Sequence, residues 1–171
     1  DGYVKARQFP LEVTGANGQS GYVRVGVPFP EGLIKDITTV RVLGPDGAPR
    51  PTQQKLLTPW KDQSARWVLL DFPASAGDKC TVKFDDVPTP AKSGGLQVKT
   101  DVNQVTIDTG KATFTFAKDV PIKQMQAGGK AVFTAATIDL VVDGVRLHPL
   151  PAEKMDVEDK GPLHATVRLV G

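Results

Sequence analysis

Cysteine, histidine and the large aromatics are scarce in this sequence, and each scarcity closes off a class of chemistry. Cys80 is the single cysteine. No intrachain disulfide can form, and no second thiol or histidine lies close by in sequence to suggest a metal site. The residue reads as a small apolar core group. His148 and His164 are the two histidines, and they stand in no Asp-His-Ser order and at no zinc-enzyme spacing. His164 alternates within a strand-like run and His148 lies in a loop between Leu147 and Pro149, so both take ordinary structural roles. No catalytic residue, metal ligand or cofactor is expected. No run approaches the roughly 18 to 20 apolar residues that span a bilayer, and Asp1-Gly2-Tyr3-Val4-Lys5 is no signal peptide. Charge of one sign is missing too. The 21 Lys plus Arg nearly balance 19 Asp plus Glu, scattered rather than gathered in a stripe, which makes nucleic acid a poor partner. The acidic pairs Asp85-Asp86 and Glu158-Asp159 lack the oxygen-ligand loop of a calcium site and read as solvated turn carboxylates. Glycines sit singly or as Gly-Gly in turns, not between a strand and a helix, so no phosphate loop is expected.

What is present in quantity is punctuation and β-formers. The 14 prolines and 17 glycines cut the chain every few residues and leave little room for long helices, while Val, Thr, Ile and Phe dominate the runs between them. The composition predicts an all-β fold. Strands are expected at Leu11–Thr14, Ser20–Val27, Thr39–Leu43, Pro51–Leu57, Ala65–Phe72 and Lys79–Phe84, with Pro28-Phe29-Pro30-Glu31-Gly32 as a stiff loop and Gly44-Pro45-Asp46-Gly47 as a hairpin turn. Six short strands make a small barrel or sandwich. The Pro, Gly and Ser content of residues 85–95 reads as an interdomain linker. Beyond it, runs at Leu96–Thr100, Gln104–Asp108, Ala112–Phe116, Ala131–Phe133, Ile138–Val142 and Leu163–Gly171, with turns at Asp108–Lys111 and Asp143-Gly144, predict a second module of consecutive antiparallel strands. The expected division is 1–88 barrel, 89–95 linker and 96–171 sandwich. The sandwich is expected to be incomplete, because a chain that stops inside a strand leaves an apolar edge to cover.

Aromatic faces stack on sugar rings, which draws attention to the two tryptophans. Trp67, inside the most apolar run, is expected in the core. Trp60 lies in a polar loop with Lys61, Asp62 and Arg66 nearby, and both solvent exposure and packing against the other module stay open for it. Trp60, Arg66 and Tyr22 are the candidate substrate-binding residues.

Four stretches resemble a known family. Val25-Gly26-Val27-Pro28-Phe29-Pro30-Glu31-Gly32, then Val40–Gly47 with Gln53, then Trp60-Lys61-Asp62-Gln63-Ser64-Ala65-Arg66-Trp67 are similar to the N-terminal region of bacterial exo-rhamnogalacturonan-lyase-like proteins, as is Gly161-Pro162-Leu163-His164-Ala165-Thr166-Val167 further on. Gln63 stands where that family has glycine, so a different backbone conformation is expected there. The resemblance implies a RIFT-type barrel, the opening of a central β-sandwich, and a parent protein that cleaves uronic-acid-containing polysaccharide by β-elimination. No catalytic role is carried over to any residue of this chain. The resemblance leads to a non-catalytic N-terminal part of a secreted or periplasmic protein, partnered by polysaccharide or by a downstream catalytic region of the same protein. The alternatives are a self-associating adhesive β module and a stand-alone glycan-binding module.

Overall fold

The computed structural model describes residues 7–15, 19–85, 95–148 and 150–171. Contacts divide the chain into two compact units, Asp1–Lys92 and Ser93–Gly171. The linker expected at 89–95 lies outside the described residues apart from Gly95.

The described residues of the first unit form six strands: β1 (Gln8–Glu12), β2 (Ser20–Pro28), β3 (Val40–Leu43), β4 (Gln53–Pro59), β5 (Ala65–Ser75) and β6 (Lys79–Phe84). They form two three-stranded antiparallel sheets, ordered β1-β6-β3 and β2-β5-β4. Alternation explains the layering. Val68, Leu70, Phe72 and Ala74 of β5 point inward against Cys80, Val82 and Phe84 of β6 and Val40 and Val42 of β3 in one continuous buried cluster. Cys80 sits in that core as expected, and burial, assisted by the nearby Asp78 charge, pushes its thiol pKa up. The Gly44–Gly47 turn does reverse the chain, bridging Leu43 to Pro49, and Gly47 supplies its positive φ of 73°. The returning strand does not pair along β3, however. Thr52 Oγ1 accepts from Val42 N and Gln54 Nε2 donates to Val40 O, while β4 crosses to the other sheet and pairs with β5. A local turn signal cannot report that change of sheet. Pro73 fits in β5 because β4 pairs no further than Asp71, so the missing amide meets a strand on one side only.

The second unit opens with a five-stranded meander, β7 (Gln97–Thr100), β8 (Gln104–Asp108), β9 (Ala112–Ala117), β10 (Gln124–Ala127) and β11 (Lys130–Phe133), ordered as in sequence. Val105, Ile107 and Ala117 are its buried residues. Two ribbons follow, β12 (Leu140–Val142) with β13 (Val145–Leu147) and β14 (Lys154–Lys160) with β15 (Ala165–Val170). Asp143 and Gly144 both have positive φ, 51° and 80°, the tight hairpin turn whose twist matches its strands. In β14–β15 the register shifts between Val157 and Asp159, which leaves Glu158 as a bulge. The carboxylates expected in turns therefore lie elsewhere. Asp159 faces His164 and Thr166 within a ribbon, Glu158 pairs with Arg168 beside it, and Asp85 is held by Arg41 and Lys83 at the end of β6. Asp86 lies outside the described residues. The chain is all-β, as its composition predicts.

Candidate functional site

The motif Trp60–Trp67 closes the β4–β5 hairpin, and its geometry starts with a short polar loop. Trp60 N donates to Ser64 O at 2.8 Å and Gln63 N to Trp60 O at 3.1 Å. Gln63 carries φ 66°. The backbone therefore adopts the left-handed conformation that glycine takes easily. The loop's hydrogen bonds over-determine it. Asp62 Oδ1 accepts from Ser64 N at 3.0 Å and from Ser64 Oγ at 2.5 Å, and these bonds, the hydroxyl's first, hold the Asp62 carboxyl below its ordinary pKa.

The same loop clasps the Pro28–Gly32 segment. Ser64 Oγ accepts from Gly32 N at 2.8 Å, and Trp60 Nε1 donates to Phe29 O at 2.8 Å. Phe29 N donates to Arg66 O at 2.9 Å and Ala65 N to Ile34 O at 2.7 Å. Two of the stretches that carry the family resemblance are thus one interlocked structure, each satisfying backbone groups of the other. Phe29, pinned between these bonds, packs edge-on against Phe84 at 5.5 Å between ring centroids, with Phe9 at 6.3 Å. Pro28, Pro30 and Leu33 complete an apolar groove of about 440 Å³ around them.

Trp60 is half-buried within its own unit, with the Arg66 guanidinium 4.7 Å from its ring centroid. Trp67 is 40% exposed, contrary to the core position expected of it. The cause is a double irregularity in β4–β5. Leu57 is skipped on one strand and Arg66 on the other, so Arg66 and Trp67 both reach the outside before inward alternation resumes at Val68. Tyr22 is 69% exposed on β2 opposite Pro73. Seven residues of β5 separate Pro73 from Arg66, about 23 Å of strand, so Trp60 and Arg66 form one corner and Tyr22 stands apart from it.

The histidines sit in the second unit. His148 Nδ1 lies 2.9 Å from Asp139 Oδ1. Thr166 Oγ1 and Asp159 Oδ2 both approach Nε2 of His164, at 3.2 and 3.4 Å. A proton relay needs base and orienting carboxylate on opposite ring nitrogens, and this Thr-His-Asp cluster does not provide that arrangement. Among the described residues no group of three or more His, Cys, Asp or Glu side chains could hold a metal ion, and no helix is long and apolar enough to cross a membrane.

Two packed three-stranded sheets clasped at one end by an aromatic hairpin define a small β-barrel module. Residues 12–85 match the family described as PcRGLX-like N-terminal RIFT barrel domain, so this segment is similar to the N-terminal barrel of a rhamnogalacturonan-lyase-like family. No curated protein matches the chain.

Proposed function

We propose that this chain is the non-catalytic N-terminal part of a secreted or periplasmic polysaccharide-lyase-like protein that acts on uronic-acid-containing polysaccharide such as rhamnogalacturonan. The observation that carries this reading is the use made of the family motifs. Ser64 and the Trp60 indole are engaged by the backbone of a neighbouring loop, and Asp62 is engaged by Ser64 itself. β-Elimination requires a base beside the proton next to the carboxylate and a group that stabilises the charge left behind. A motif occupied in clasping a loop serves the shape of the barrel, and through it the packing or cleft of a catalytic region elsewhere in the parent protein. The test has two readouts. The chain alone, incubated with rhamnogalacturonan, is expected to yield no ultraviolet-absorbing unsaturated uronic product. The natural polypeptide, detected with an antibody against this chain, is expected to be several times heavier than 18.3 kDa. Product from the isolated chain, or a natural polypeptide near that mass, overturns the reading.

A further inference from the structure

The outer face of β2-β5-β4 carries a pattern that clasping the barrel does not require. Cross-strand partners share a face, so the register stacks Tyr22 with Pro73, then Arg24 with Asp71 and Gln53, then Gly26 with Leu69 and Lys55, then Pro28 with Trp67 and Thr58. Gly26 lacks a side chain where the Trp67 ring lies: a Cβ placed there would stand 3.5 and 3.7 Å from two ring carbons. The indole thus rests on the sheet while the residue as a whole stays 40% exposed. Tyr22 lies four residues from Gly26, about 13 Å along an extended strand. Between the two aromatics stand the Arg24 and Lys55 cations and one carboxylate, Asp71, which accepts from Arg24 Nε at 2.6 Å. Arg24 keeps 47% of its side chain exposed against 9% for Asp71, so the cation is the more accessible member of the pair.

Beyond Tyr22 the face runs into a cleft of about 450 Å³ lined by Ser20, Tyr22, Arg50, Pro73, Ser75 and Asp78. Arg50 lines this cleft, and its Nε, packed beside Gly44, is the one buried side-chain polar atom among the described residues without a hydrogen-bond partner. Flat aromatics at both ends of an exposed strand, with cations between and beyond them, suit a ligand with apolar C–H faces and carboxylates along its length. The length of the platform suits an oligomer rather than a single ring.

We infer that the outer face of β2-β5-β4 is a binding surface for an acidic oligosaccharide, with Trp67 and Tyr22 stacking on sugar rings and Arg24, Lys55 and Arg50 receiving the carboxylates. The choice of a uronic-acid ligand rests on the proposed function, while the location rests on the sheet face alone. The site differs from the Trp60–Arg66 corner.

Titration of the full chain with oligogalacturonates by calorimetry tests it, with neutral galacto-oligosaccharides as the comparison ligand. Saturable binding is expected, weakened about tenfold or more by Trp67→Ala. Tyr22→Ala, at a position too exposed to disturb the core, is expected to weaken it several-fold, which keeps the test decisive if Trp67→Ala fails to fold. Lys55→Gln and Arg50→Gln are expected to reduce oligogalacturonate binding and its salt dependence. Binding unchanged in the Tyr22 and Lys55 variants, or lost only when Trp60 and Arg66 are replaced, overturns the site. Absence of binding to both ligands also overturns it. The product and mass measurements on the proposed function are untouched by either result, so the two failures are distinguishable.

Discussion

Gln63 puts a side chain at a backbone position that glycine adopts more easily. A side chain at φ 66° costs about 1–2 kcal/mol relative to glycine. The price is met by the Asp62, Ser64 and Trp60 hydrogen bonds, which fix the loop from both sides. Replacing Gln63 with glycine relieves the strain but adds back unfolded-chain entropy of about 0.4–1 kcal/mol. The expected outcome for Gln63→Gly is a net stabilisation of up to about 1 kcal/mol, read by urea denaturation, with Gln63→Val changing stability in the opposite direction because a β-branched residue tolerates positive φ worst. A Gln63→Gly variant of lower stability would mean that the glutamine side chain makes a compensating contact.

Elements differ in how well they cover themselves. The β12–β13 ribbon presents apolar side chains on both faces: Leu140 is 62% exposed and Val145 60%, with Val141, Val142 and Leu147 also in the exposed class. Monomeric proteins seldom leave so continuous an apolar ribbon in water. This observation favours a second reading of the chain's behaviour, self-association through the ribbon. Sedimentation velocity at rising concentration is expected to show dimers or larger species, and Val141→Lys is expected to return the chain to monomer. A monomer at all concentrations before the substitution would remove this reading. The ribbon's turn was readable from Asp143-Gly144, and β12 from its valines. β13, β10 and β14 are not legible in the sequence: β13 is only the three residues Val145–Leu147, and Gln124-Met125-Gln126-Ala127 and the charged run Lys154–Lys160 carry little apolar alternation. Their strand state comes from neighbours already in place.

At the scale of the whole molecule, the first unit owns a closed core. Among the described residues its buried cluster runs from Val27 to Phe84, and the second unit buries Val105, Ile107 and Ala117. Truncating Leu70, fully buried at the centre of β5, is expected to cost about 2–5 kcal/mol. Amide exchange should accelerate through β2, β4, β5 and β6 of Leu70→Ala while protection at β8 and β9 stays unchanged. Equal acceleration in both units would mean that they unfold as one cooperative body.

The sequence by itself determined the all-β class, the order of most strands, the core position of Cys80 and the family likeness of the barrel, because these depend on short-range alternation, turn chemistry and contiguous motifs. Tertiary structure decided the rest. Trp67 was expected inside and lies outside, since paired irregularities in β4 and β5 reset the alternation at Arg66. Tyr22 was grouped with Trp60 and Arg66 and stands apart from them, while strand pairing places it on one face with Trp67, Arg24 and Lys55. The interlock of Trp60 with Phe29 and of Ser64 with Gly32 joins residues about thirty positions apart. Periodicity along one strand carries no information about which distant strand lies beside it, and that pairing settles which side chains meet.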